Sequence, residues 1–322
     1  MSEEALDFCK DILSEVSRSF ALTIPMLDDS IYKPVMITYL QDRLLDNFED
    51  EIKDIGIKKR KYFMNRVVEI FDPEGENREE ALQEIKNNAD LLEEESLYRL
   101  TAQADLLKTA YDALDLEIKN ISFNWLQEMN QGMQKYLKKE VKTFSDLDEY
   151  CYYVAGTVGG FLTEVIMARE DIKESDKKIL KNNFKDAGLF LQKVNIVRDI
   201  GIDIRKRDKN YWPLVSLNFT EEELVDPEYE DRALHSLKLM LDNIKTHIQG
   251  LWDYYQALPE SLPGYKKFFC VNNALGLATL EKMENNSDIF YSESKVKVPK
   301  FKFLKIIASP HRIFKNSCEK YI

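Results

Sequence analysis

Apolar residues recur at helical intervals along almost the whole chain. In ALDFCKDILSEV, Leu6, Cys9 and Leu13 fall on one face, with Phe8 and Ile12 widening it. YKPVMITYLQDRLLDNFEDEI reads as a long helix that starts near Pro34. Strongly charged helices fill 60–110, interrupted by the turn-forming cluster DPEGEN at 72–77. Apolar helices follow over 121–136, 147–168 and 176–200. The chain turns after Trp212-Pro213, a more polar helix pair covers 219–257, and LPESLPG leads into a last core helix over 265–284. There is no strand alternation, no repeat period and no stretch rich enough in Pro, Gly or Ser to divide the chain. The pattern predicts one all-α domain over 1–322, with 285–322 set apart as a C-terminal extension.

Composition narrows the classes. With 322 residues, 44% of them hydrophobic, the chain can bury a sizeable core, and eleven Gly and nine Pro are few for a loop-rich fold. A net charge of −12 argues against nucleic acid as a partner, because phosphate contacts need a basic face. Cys9, Cys151, Cys270 and Cys318 are scattered without a CxxC pair, which suits a reducing compartment and offers no zinc site. His235, His247 and His311 are too few for a histidine-rich centre, so any metal site has to be built from carboxylates. The acidic, amphipathic start lacks a signal pattern, and no run of about 18 apolar residues stands out. The expectation is a soluble, cytoplasmic protein with no membrane span.

Two acidic clusters interrupt apolar stretches: DNFED at 46–50 and DIGID at 199–203. On an α-helix Asp46, Glu49 and Asp50 project together, as do Asp199 and Asp203. Like charges at this spacing cost stability unless a cation lies among them. Oxygen-only clusters of this kind suit Mg2+, which takes one or two carboxylates plus water and substrate phosphates. Ordinary solvated acidic faces are the competing explanation. Arg43 precedes Asp46 by three residues, Arg198 adjoins Asp199, and Arg18 sits in SRSF. Arginine forks suit phosphates, and equally suit simple Arg–Asp pairs.

At this point the chain resembles the squalene/phytoene synthase family. The matching segments are SRSFAL, YLQDRLLDNFEDE, MNQGM, YCYYVAGTVGG, GLFLQKVNIVRDIGID and NYWP, in the family's order across the first 213 residues, with FFCVNNALGLATL extending the match to about 280. The resemblance implies an isoprenoid synthase fold, with helices around a central apolar cavity and two aspartate-rich motifs facing each other at one end. It also implies Mg2+-assisted head-to-head condensation of two prenyl diphosphates, farnesyl diphosphate in squalene synthases, with NADPH reducing the final cation there. By the same resemblance Asp46, Glu49, Asp50, Asp199 and Asp203 hold metal. Arg18, Arg43, Arg198, Gln192 and Asn195 grip diphosphate, and Tyr150 assists proton or cation handling. Phe20, Val154, Ala155, Gly156, Gly159 and Phe269 line the prenyl chain. For the glycines, close helix packing is an equal alternative.

Three departures bear on the product. Ile202 replaces a glutamate of the second motif, Pro299 stands where squalene synthases carry arginine, and Lys209 replaces an arginine before NYWP. Lys209, Lys297 and Lys300 remain as contacts for the NADPH phosphates. The C-terminal stretch FKFLKIIASPHRIFKNSCEKYI mixes basic and apolar residues, which suits either peripheral contact with an anionic membrane or packing against the domain. The expected activity is squalene synthase-like. A non-reducing synthase of the phytoene or dehydrosqualene type, and a family relative that binds without catalysing, are the alternatives.

Overall fold

The structure, a computed structural model, describes residues 2–52, 55–207 and 210–322, so the expectation at Lys209 lies outside the described residues. Every regular element among them is helical. Two compact units account for the contacts: Met1–Lys138 with Phe161–Asp171, and Lys139–Gly160 with Ile172–Ile322.

In the first unit, the helix Glu3–Val16 begins where the Ser2 hydroxyl accepts from the Ala5 N–H, and Glu3 and Glu4 favour its positive end. It buries Ala5, Phe8, Cys9, Ile12 and Leu13. The apolar face is therefore centred on Phe8 and Ile12, with Leu6 only at its edge. Asp29–Asp46 starts five residues before Pro34, contrary to the expected start. Pro34 occupies the second turn and removes the N–H that would reach the Ser30 carbonyl. It is buried beside Ile31, Val35 and Met36, and that packing offsets the lost bond. Leu116–Tyr136 is capped by Asp115, whose carboxylate accepts from the Ile118 N–H and also pairs with Arg169.

In the second unit, Thr143 and Asp146 form a reciprocal cap on Phe144–Cys151. A π-helical turn, Tyr152–Gly156, and the helix Thr157–Arg169 continue that run, with the residues from Phe161 onward counted in the first unit. Glu174–Ile202 is the longest helix at 29 residues. A Cβ on Gly188 would collide with the Ala155 carbonyl, and one on Gly159 with the Phe184 carbonyl. Glycine is required here for backbone to meet backbone. The continuous run Phe144–Arg169 is long and apolar enough to cross a membrane by length and composition, with mean hydropathy 1.3 and 44% of the window buried. This corrects the expectation that no such run exists. Its glycine contacts with Glu174–Ile202 are those of a core helix.

The last 38 residues belong to the second unit and form the helices Asp288–Tyr291, Lys300–Ala308 and Pro310–Cys318. Phe314 is fully buried, with its ring 5.7 Å from Phe269 and 5.3 Å from Tyr255. Pro310–Cys318 therefore packs on the domain. Phe301 and Leu304 on the preceding helix stay 63% and 64% exposed.

Candidate active site

Each acidic motif runs from the end of an α-helix into a π-helical turn, the first after Asp46 and the second only at Asp203. Asp29–Asp46 passes into a π-helical turn at Asn47–Glu51, and Glu174–Ile202 passes into another at Asp203–Arg207. With Tyr152–Gly156, the three π turns among the described residues each fall on or start at the end of a motif singled out by sequence. Such turns widen the helix by one residue and re-aim side chains, and they are frequent at functional sites.

The wide turn changes the geometry expected at DNFED, because i, i+3 and i+4 no longer coincide across 47–51. Arg43 pairs with Asp46 and reaches Glu51 Oε1 at 3.4 Å, so Glu51 joins the cluster in a way simple helical spacing did not indicate. Glu49 turns inward and is 8% exposed. Arg60 donates to the carbonyls of Glu49 and, at 2.6 Å, Ile52, closing the far end of the turn. Asn47 is fully buried and donates to Thr101 Oγ1 at 3.3 Å. Asp42, one turn before Asp46, was not flagged by sequence. Burial first, and then the Asp46 charge, push its carboxyl well above the usual range.

Elsewhere in this unit, Phe20 lies against Tyr39 with ring centroids 5.1 Å apart, and Arg18 is exposed to solvent. The Tyr39 hydroxyl is bonded to Ser17, and burial raises its pKa.

In the second unit, Asp199 is 7% and Asp203 9% exposed. The Asp203 N–H donates to the Asp199 carbonyl, which keeps the two side chains on one face. Arg198 donates from Nε to Asp199 Oδ1 at 2.7 Å and from a terminal nitrogen to Oδ2 at 2.8 Å. Lys295 Nζ adds a third bond to Oδ2 at 2.7 Å. Burial pushes the Asp199 carboxyl up, but Arg198 and Lys295 overcome it and hold the carboxyl below its usual value. Tyr150 is buried and stacks on Tyr211 of NYWP, with centroids 4.4 Å apart and planes 12° apart, so two motifs far apart in the sequence share one contact. Val154, Ala155 and Gly156 lie on or beside the adjoining π turn, and a Cβ on Gly156 would stand 2.8 Å from the Tyr152 ring.

The other expected residues scatter. Gln192 is half-buried, while Asn195, Lys297 and Lys300 are exposed. Phe269 stacks on Tyr254 at 5.2 Å within the aromatic core beneath the C-terminal helix. A buried cation that sequence did not flag, Lys193, is fully enclosed one residue from Gln192. Its ammonium donates to Asn243 at 2.7 Å, bonds His247 Nε2 at 2.7 Å and pairs with Asp148 at 2.5 Å. His247 Nδ1 in turn meets Asp186 at 2.7 Å. This chain ties the helix carrying Tyr150 to the helix carrying Asp199.

Among the described residues, no three His, Cys, Asp or Glu side chains converge closely enough to hold a metal ion unaided. The donors are nevertheless hard oxygens on two motifs, each able to offer one or two carboxylates. That fits Mg2+, whose remaining positions go to water and phosphate.

Comparison with known proteins places the chain in a family. Residues 13–302 match the family model described as squalene/phytoene synthase. Squalene synthase 1 of Arabidopsis thaliana is 29% identical over 296 residues, covering 90% of this chain and 68% of its own length. The squalene synthase of Nicotiana benthamiana is 31% identical, covering 90% and 67%. Among solved structures, TcSQS in complex with a ligand superposes with a TM-score of 0.85 at 27% identity over 99% of this chain and 90% of that one. A dehydrosqualene synthase, at 16% identity, TM-score 0.62 and coverage of 99% and 98%, shares the fold. The chain is an all-α isoprenoid synthase fold and belongs to the squalene/phytoene synthase family of prenyltransferases.

Proposed function

We propose that the protein condenses two molecules of farnesyl diphosphate head to head, by way of presqualene diphosphate, and completes the product as squalene with NADPH. The observation that carries this reading is the pairing of an arginine with the acidic motif of each unit: Asp46 and Glu51 around Arg43, and Asp199 with Arg198. Ionising an allylic diphosphate needs no protein nucleophile. It needs charge stabilised on the departing diphosphate and a dry surface for the cation left behind. Mg2+ bound by Asp46, Glu49, Asp50, Asp199 and Asp203 would supply Lewis-acid stabilisation of that leaving group. Arg43 and Arg198 balance the carboxylates before substrate arrives and turn their forks to phosphate oxygens when it does. Arg18, exposed beside the Phe20–Tyr39 pair, adds a further guanidinium. Tyr150, held flat against Tyr211, presents a hydroxyl whose position is fixed by stacking, and it handles the proton or cation of the first half-reaction. Val154, Ala155, Gly156, Gly159, Phe20 and Phe269 serve the prenyl chain.

Lys297 and Lys300 offer exposed ammoniums for the phosphates of NADPH. A non-reducing synthase is the second reading, favoured by Pro299, which brings neither charge nor N–H to this segment. The exposed Phe301 and Leu304, beside Lys300 and Lys305, favour peripheral contact with an anionic lipid surface. Incubation with farnesyl diphosphate and Mg2+, with and without NADPH, followed by product identification, tests the reading. Squalene formed only with NADPH supports it, and dehydrosqualene or presqualene diphosphate in both arms selects the second.

A further inference from the structure

The second acidic motif carries a cation that the chain itself supplies from 96 residues away. Lys295 Nζ bonds Asp199 Oδ2 at 2.7 Å, where Arg198 already occupies both carboxylate oxygens. Three features hold the segment 289–295 in place for this contact. Gly201 leaves room for the Ile289 and Phe290 carbonyls, which would stand 2.6 and 2.7 Å from any Cβ there. Arg205 donates to the carbonyls of Phe290 and, at 2.7 Å, Ser292. The Phe290 ring packs edge-on against Trp212 of NYWP at 5.6 Å. The Ser294 N–H then bonds Ser292 Oγ at 3.1 Å, a short turn that delivers Lys295 to Asp199. The glycine of DIGID and Arg205 just beyond it thus serve as a seat for this strap.

The charge count gives the contact its meaning. Ile202 stands where the family resemblance leads to a glutamate, so the motif has one carboxylate fewer, and Lys295 adds one ammonium more. Asp199 is already paired with both Arg198 and Lys295 before any metal or substrate binds. A divalent ion approaching Asp199 Oδ2 meets an ammonium already there. Lysine is a compact point charge on a flexible stem, and the Lys295 side chain is 34% exposed, so it is free to exchange a carboxylate for a phosphate oxygen.

Building on the prenyl diphosphate reading above, we propose that Lys295 is a tethered cation of the diphosphate site. It neutralises Asp199 in the free protein, competes with the divalent ion for that carboxylate, and passes to the diphosphate when metal and substrate arrive together. It stands in for part of the positive charge that a fully acidic second motif would draw from metal.

The test measures binding rather than turnover. Free Mn2+ is followed by electron paramagnetic resonance during titration of the full chain, and inorganic pyrophosphate binding in the presence of Mn2+ is followed by calorimetry. Lys295→Met should bind Mn2+ alone several-fold more tightly than the unaltered chain, and pyrophosphate several-fold more weakly. Lys295→Arg should retain both original affinities. Lys295→Gln keeps a donor to Asp199 without the charge, and serves if the methionine variant does not fold. If the unaltered chain binds both probes and the uncharged variants match it, Lys295 merely pins the strap and the proposal fails alone. If the unaltered chain binds neither probe, the prenyl diphosphate reading falls and takes this one with it.

Discussion

Asp42 and Asp112 show opposite signs of carboxylate tuning. For Asp42, burial and Asp46 raise the folded pKa above the unfolded value of about 3.9. Its favourable contribution is therefore complete below that value and is lost as pH rises through the folded pKa. Asp42→Asn should raise the melting temperature near neutral pH and change little near pH 4, as measured by circular dichroism. A lower melting temperature at neutral pH would contradict the assignment. For Asp112, burial pushes the pKa up, but bonds from Arg78 at one side and Lys108 at 2.9 Å outweigh it and lower the folded value. That contribution is present above the unfolded pKa and disappears as pH falls through the folded one. Asp112→Asn should therefore cost stability at neutral pH and progressively less below pH 4. The acidic cluster DNFED stands out in the sequence because its three carboxylates fall within five positions. Asp42 was legible in principle as an acidic residue four before Asp46, whereas Lys295 gives no local signal because only tertiary packing brings it to Asp199.

Among the elements, the helices were legible from period alone, because burial of one face is what stabilises each of them. The π turns were not. Widening a helix by one residue depends on what its neighbours accept, as where Arg60 takes the carbonyls of Glu49 and Ile52. Pro34 misled for a related reason: its local cost is set against burial contributed by the rest of the unit. The glycines of YCYYVAGTVGG admitted two explanations from sequence. Close backbone packing is evident for Gly159 against Phe184, with Gly188 against Ala155 nearby. Gly188→Ala should destabilise the fold by about 1–3 kcal/mol, since carbonyl and methyl cannot share that space. An unchanged denaturation midpoint would mean that the two helices part readily.

For the whole molecule, the acidic balance and the basic end pull apart. The chain carries −12 overall, yet residues 295–322 hold eight Lys or Arg against a single Glu. Peripheral contact through this end predicts co-sedimentation with vesicles containing phosphatidylserine, weakened by salt and by Phe301→Ser with Leu304→Ser. Equal recovery with neutral vesicles would contradict it. The helical class was legible along the chain and the family from motifs reaching to about residue 280, because motif order survives where side-chain geometry cannot be read. The most direct measurement of the central claim is product formation from farnesyl diphosphate and Mg2+ by the unaltered chain beside Asp46→Asn and Asp199→Asn. The account predicts diphosphate release and a thirty-carbon product from the unaltered chain, with loss of about a hundredfold or more in either folded variant. Turnover undiminished in both variants, or absent in the unaltered chain, would contradict it.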